Sequence, residues 1–318
     1  MMKRTAIAGL VLSCAGCASV WAQDAPQPQP APGLTQQKAA TAPSSSQHST
    51  ASAANPAAPG TVIPASAERH FRQGTQLAQD GDTAGAIEEY KLAIKDYPDY
   101  FEAHYDLGRI YLDRKGYTEA AAELNTAVGL RPNDANAHNN LGLALKHNRD
   151  FNGALVQYQD AVRLNPKMAS AQNNLANVLY AKRDFNGAIL HYRAALDLQP
   201  NSAETHMNMG SALDDAGRSD EAILEYKEAI RIEPKNASAH YNLAIVYLKK
   251  KDNTSSIAEL RQAAKLSPDW PTPHIMLTNL LKDSDPKAAF DECVVADGLT
   301  NDAKLHNLCS DLQKKSQQ

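Results

Sequence analysis

Proline recurs at Pro98, Pro132, Pro166, Pro200, Pro234 and Pro268, each 34 residues after the last without a slip. A period of that length, held over so many units, restricts the chain to an array of like supersecondary units. Each must bury its apolar face on a neighbour of the same kind. Other columns keep the same register. Gly74, Gly108, Gly142 and Gly210 form one, with Ala176 and Ala244 in the two remaining units. Ala86, Ala120, Ala154, Ala188, Ala222 and Ser256 form another, and Ala93, Ala127, Ala161, Ala195, Ala229 and Ala263 a third.

The columns have mechanical meanings. Small residues mark where two antiparallel helices cross closely, and larger ones such as Leu107 and Tyr111, or Leu141 and Leu145, pack beside them at i, i+4 spacing. Tyr90, Tyr158, Tyr192 and Tyr226, with Leu124 and Leu260, share one place on each second helix. Proline ends the unit because it cannot continue a helix. Gly81-Asp82, Gly116, Asp150-Phe151-Asn152 and Asp184-Phe185-Asn186 read as turns and caps between the helices.

On these columns the sequence resembles the tetratricopeptide repeat family, over six full repeats at 67–100, 101–134, 135–168, 169–202, 203–236 and 237–270. Gln73 and Ser256 depart from the family pattern. The resemblance implies an all-α, α-α superhelix, right-handed, with the first helix of each repeat lining the concave side. Residues 271–318 read as a degenerate seventh repeat and a capping helix. His274, Leu277 and Leu281 continue a first helix, and Asp285-Pro286 opens what is expected to be a shortened second one. Leu305, Leu308, Cys309 and Leu312 then form an apolar stripe opposite Lys304, Asp311, Lys314 and Lys315, as the end of a stack requires. Cys293 and Cys309 lie on two apolar faces that should meet. A disulfide closing a loop of about 16 residues, worth roughly 3 kcal/mol, is expected there; two buried thiols are the alternative.

The other end is built differently. Residues 1–22 have the parts of an export signal: Lys3-Arg4, an apolar run from Ile7 to Ala18 too short to span a bilayer, and Val20-Trp21-Ala22 before a cut. A second route competes, because Ala15-Gly16-Cys17 resembles the end of a lipobox, which would place a lipid on Cys17. Residues 23–65, rich in Ala, Pro, Ser and Gln with only Asp24 and Lys38 charged, read as a disordered spacer. The expected setting is therefore periplasmic or secreted, with an outer-membrane-anchored lipoprotein as the alternative. The only membrane contact foreseen is through that lipid.

Formal net charge is −4, and losing Lys3 and Arg4 with the signal makes it about −6. No basic stripe for nucleic acid accompanies it. No Gly-rich phosphate loop, HExxH or free cysteine nucleophile is present, and Glu88-Glu89 and Asp214-Asp215 fall at solvated helix ends. Neither an enzyme nor a cofactor is expected. Six of the ten histidines share one column, His70, His104, His138, His206, His240 and His274. Stacked helices stand about 8–10 Å apart, too far for two of these to share a metal at about 2.0–2.1 Å each. They read as packing residues at the junction between repeats, with mild pH sensitivity if partly buried.

The distinctive polar feature is a row of asparagines. Asn140, Asn174, Asn208 and Asn242 stand 34 apart, two residues before the small column, with Asn139, Asn173 and Asn177 close by. Asparagine is a poor helix former, yet its amide both donates and accepts and so pairs with any peptide backbone. The array looks like the asparagine row lining the repeat superhelix of the O-linked N-acetylglucosamine transferase, which implies peptide-backbone binding in the groove. Structural hydrogen bonds alone are the competing reading. Asp106 and Arg72 take the place in the first two repeats. A carboxylate clamp would need Lys and Arg where Phe71, Tyr105, Asn139, Asn173, Met207 and Tyr241 stand, and only Arg72 and Arg109 offer charge. The sequence thus points to an extracytoplasmic scaffold for protein or peptide partners. The alternatives are an envelope assembly factor of the pilus-biogenesis or outer-membrane lipoprotein type, and a non-catalytic subunit of an envelope enzyme complex.

Overall fold

A computed structural model describes residues 62–300 and 302–317; the signal, Cys17 and residues 23–61 of the spacer lie outside the described residues. Among the described residues every regular element is helical. The first helices are α1 (Ala65–Gln79), α3 (Phe101–Asp113), α5 (Ala135–His147), α7 (Ala169–Ala181), α9 (Ala203–Asp215), α11 (Ala237–Lys249) and α13 (Pro271–Leu281). The second helices are α2 (Thr83–Asp96), α4 (Tyr117–Leu130), α6 (Phe151–Leu164), α8 (Phe185–Leu198), α10 (Ser219–Ile232), α12 (Asn253–Leu266) and α14 (Pro286–Leu299). A last helix, α15 (Ala303–Ser316), ends the stack. None of them is long and apolar enough to cross a membrane.

Short polar side chains set where the helices begin. Asp82, Asp150, Asp184 and Asp252 accept from the backbone N–H groups of Gly85, Gly153, Gly187 and Ser255, capping second helices. Asp134, Ser202 and Asn236 do the same for α5, α9 and α11. The turn before the second helix of each of the first six repeats takes a left-handed residue. Gly81 and Gly217 supply it in two repeats, while Lys115, Arg149, Arg183 and Lys251 adopt φ of 61–65° in four others, at a cost of about 1 kcal/mol each.

Within a repeat the helices cross where a glycine or alanine meets a large side chain. A Cβ added to Gly108 would lie 2.6 Å from the Leu124 side chain, and one on Gly142 would lie 2.8 Å from the Tyr158 ring. Both large partners are wholly buried. Each helix then packs on its chain neighbours. In addition, α3, α5, α7, α9 and α11 approach one another in succession, while no second helix reaches another to that degree. The stack therefore curves with its first helices on the inner side.

The seventh unit differs from its expected form. Its second helix, α14, has the full 14 residues, capped by Asp285 with Pro286 at N1, and the first helix, α13, is the shortened one at 11 residues. The spacing explains this: Asp285 follows Pro268 by 17 residues, whereas Asp252 follows Pro234 by 18, so the deletion falls before the second helix. Leu305, Cys309 and Leu312 of α15 close over Ala289, Cys293 and Ala296 of α14. Cys293 and Cys309 are bonded to each other there, with Cα atoms 5.5 Å apart.

The buried tyrosines of the second helices reach a polar partner 15 residues earlier. Tyr90 Oη donates to Thr75, Tyr192 Oη donates to Asn177 at 2.6 Å, and Tyr226 Oη pairs with Ser211 at 2.9 Å. At Tyr158 the corresponding residue is Leu143, and its buried hydroxyl has no partner. A bonded hydroxyl contributes about 1 kcal/mol, and an orphaned one detracts. Tyr192→Phe is therefore expected to lower unfolding stability by about 1 kcal/mol in urea titration, and Tyr158→Phe to leave it unchanged or raise it. Equal losses in the two variants would contradict this.

Candidate functional site

The asparagines all stand on first helices, on α5, α7, α9 and α11, and all are half-buried. Asn177 also accepts from Tyr192 on its own second helix, whereas Asn140, Asn174, Asn208 and Asn242 each lie about half a helical turn from a small residue at the crossing, which turns them away from their own second helix toward the inner side of the stack. There the amides form a ladder between repeats. Asn140 Nδ2 donates to Tyr105 Oη at 3.1 Å, and Asn174 Nδ2 to Asn139 Oδ1 at 3.1 Å. Asn208 Nδ2 donates to Asn177 Oδ1 at 3.3 Å, an atom that also accepts from Tyr192. Thr205 donates to Asn173 Oδ1 at 3.4 Å. An amide offers two donor hydrogens and an oxygen with two lone pairs, so each of these side chains keeps unspent capacity. Asn242 differs from the rest: no hydrogen bond within the described chain holds its amide, because Met207 stands one repeat back where Asn139 and Tyr105 serve the earlier members.

Flanking positions bear no row of cations. In the second repeat Asp106 takes the row's place with Arg109 at 3.4 Å; burial raises its carboxyl, and the guanidinium opposes that rise. Asp215 is exposed at the C-terminal end of α9, as the sequence suggested, whereas Asp214 is largely covered; both border a cavity of about 280 Å³ shared by α7, α9 and α11. Sequence reasoning missed this because it depends on how three successive helices are set against one another.

Family models described as tetratricopeptide repeat match residues 71–135, 139–203 and 237–269, and one described as TPR repeat matches 210–251. The chain belongs to the tetratricopeptide repeat family. No curated protein matches it. Among solved structures it is similar to MamA, at 28% identity and a TM-score of 0.51 over 54% of this chain and 94% of that one. It shares its fold with YrrB, described as a TPR protein with an unusual peptide-binding site, at 21% identity and a TM-score of 0.53 over 62% of this chain and 99% of that one. PilF of Pseudomonas aeruginosa is similar in fold at 19% identity, with a TM-score of 0.54 over 64% of this chain and 92% of that one. Tetratricopeptide repeats are protein-interaction scaffolds, generally without catalysis, and this chain is of that class.

The histidine column of this tetratricopeptide repeat stack is polar rather than merely packed. His104 Nδ1 meets Glu123 at 2.6 Å, and its Nε2 meets the Pro98 carbonyl at 2.9 Å. His206 and His240 repeat the arrangement with Glu225 and Pro200, and with Glu259 and Pro234. His138 pairs with Gln157 and the Pro132 carbonyl. In the fourth repeat the two residues trade places: Gln172 donates to the Pro166 carbonyl and faces His191 on the second helix. Each clasp ties a first helix to the proline turn before it and to its own second helix. The partner column, Glu89, Glu123, Gln157, His191, Glu225 and Glu259, keeps the 34-residue period and was open to detection. His274 pairs with Glu292, but its Nε2 is buried without a partner.

Burial by itself would depress the His104 imidazole. The hydrogen bonds to Glu123 and the Pro98 carbonyl, with the charges of Glu123 and Asp99, outweigh it, and His104 stands above the ordinary 6.5. Burial moves His191 the other way, against the pull of Asp184. A raised value in the fold means that the His104 clasp contributes in full below about 6.5 and fades as pH rises through the raised value. Gln172 shows that glutamine fits this column, so His104→Gln is the clean probe. The stability gap between wild type and His104→Gln in urea is expected to be larger at about pH 5.5 than at about pH 8.5. A gap independent of pH, or one that widens with pH, would contradict it.

Proposed function

We propose that the chain is an exported scaffold that holds an extended segment of a partner protein along the asparagine row of its inner face. The observation that carries this reading is the residual capacity of the row. Asparagine is disfavoured on helices, yet seven of these side chains occupy the inner face of four successive first helices, each with amide groups left over after the inter-repeat bonds. A row of amides held by its own ladder can pair with peptide backbone with little further ordering, which lowers the entropic cost of association. YrrB is described as having a peptide-binding site on this fold, a likeness that bears on architecture and not on residues. Export is supported by the basic and apolar start of the sequence and by the Cys293–Cys309 bond, since disulfides persist in oxidising compartments.

Ala15-Gly16-Cys17 favours a second reading, an acylated chain whose spacer tethers the repeats to a membrane surface as part of an envelope assembly. Intact mass of the mature protein separates the two.

The groove is tested by capture from envelope extract. Changing Asn140, Asn174, Asn208 and Asn242 together to Ala removes inter-repeat bonds as well as ligand contacts, so its circular dichroism melt must accompany it. Asn242→Ala alone removes no bond of the folded chain. The fourfold variant, still helical, is expected to lose the captured partner by on the order of 10-fold or more, and Asn242→Ala to weaken it without lowering the melt. Undiminished capture by the fourfold variant would make the row purely structural.

A further inference from the structure

The cavity between α7, α9 and α11 has a definite chemistry. Tyr180, Ser211, Asp214, Asp215, Tyr241 and Asn242 border it, all on first helices, and buried Tyr226 of the second helix α10 forms part of its floor. Its acceptors are unevenly compensated. Lys249 holds Asp214 at 2.5 Å, and Ser219 adds a hydrogen bond at 3.1 Å. Asp215 receives only the neutral hydroxyl of Tyr180, at 2.6 Å, and among the described residues no lysine, arginine or histidine pairs with it. Burial, then the hydrogen bond and charge of Asp215, push the Tyr180 hydroxyl up; burial is also the main cause that raises Tyr226, with the charges of Asp214 and Asp215 adding to it.

Two further polar groups at its edge are left without a partner. Tyr241 is held by a ring contact with Trp270 at a centroid separation of 4.7 Å, yet its hydroxyl makes no hydrogen bond in the described chain. Beside it stands Asn242, the one member of the asparagine row whose amide is unspent. An exposed carboxylate that receives only a neutral hydroxyl, in a cavity also lined by tyrosines and a free amide, attracts a cation carried on an apolar stem. A volume of about 280 Å³ is at the low end for a drug-sized ligand and admits a single long side chain.

We propose that this cavity is the specificity pocket of the groove, taking a lysine or arginine side chain from the partner segment, with the cation against Asp215 and the stem between Tyr180 and Tyr241. The proposal rests on the groove reading above and adds to it which residue the segment must carry. The asparagines pair with backbone and accept any sequence. Asp215 makes the choice, and a segment bearing an acidic residue there meets repulsion instead.

The test uses random twelve-residue peptides displayed on phage, selected on the full chain and on its Asp215→Asn variant, with circular dichroism confirming that both are folded. Peptides recovered on the wild type are expected to share a lysine or arginine at one fixed place. Asp215→Asn should recover peptides without that preference and bind a synthetic wild-type-selected peptide about 10-fold more weakly. Replacing the shared basic residue by norleucine should cost the wild type a similar factor and Asp215→Asn little. Peptides that require the asparagine row but show no basic preference would overturn the pocket while leaving the groove standing. A basic preference unchanged in Asp215→Asn would also overturn it, placing the cation elsewhere. Recovery of no peptide on the wild type would overturn the groove reading and the pocket together.

Discussion

Every repeat depends on one contact, the crossing of its two helices at a side chain no larger than a methyl. Gly108 under Leu124 and Gly142 under Tyr158 leave no room for a Cβ without displacement of a buried side chain. Close crossing brings the helix pair together as a rigid slab with an apolar face on either side. Such a slab is unstable alone and must stack, which fixes both the 34-residue period and the need for α15 at the open end. The crossing also decides which residues face inward. With the small column pinned against the second helix, residues two positions earlier are turned toward the inner face, and the asparagine row stands there.

Polar clasps refine this apolar frame. The His–Glu pairs and their Gln–His counterpart in the fourth repeat join a first helix, a second helix and the preceding proline carbonyl at each junction. Buried polar groups of this kind fix a geometry when satisfied and detract from stability when not. Both outcomes occur here. The clasp is complete at His104, while His274 at the edge of the regular array is left with an orphaned nitrogen. The amide ladder on the inner face serves in the same way and keeps the groove ordered before any partner arrives.

The fold was legible because its signals are local and repeated: proline at the end of each unit, small residues at each crossing, and aspartate before five of the seven second helices. The positions of Asn140, Asn174, Asn208 and Asn242 were legible for the same reason. Their bonds were not. Asn140 and Asn174 reach back 35 residues and Asn208 reaches back 31, a difference set by how neighbouring helices are rotated and invisible in a repeat alignment. The cavity bounded by Tyr180, Asp215 and Tyr241 draws on three repeats and was hidden likewise. The histidine clasps were hidden by a choice of comparison. Their column normally holds aromatic or aliphatic residues, so they read as packing, although glutamates 19 residues on kept the same period in plain view. The shortened helix of the seventh unit was placed one element too late, because Asp285-Pro286 marks a start and says nothing of length.

The most direct test of the account is site-specific photocrosslinking in cells producing the full chain, with a photoreactive side chain at position 174 on the inner face or at position 190 on the outer face. The expected result is a discrete crosslinked protein from position 174, diminished by Asn242→Ala, with little or none from position 190. A crosslink that forms from position 190 and not from 174 would contradict it, placing the partner on the second helices.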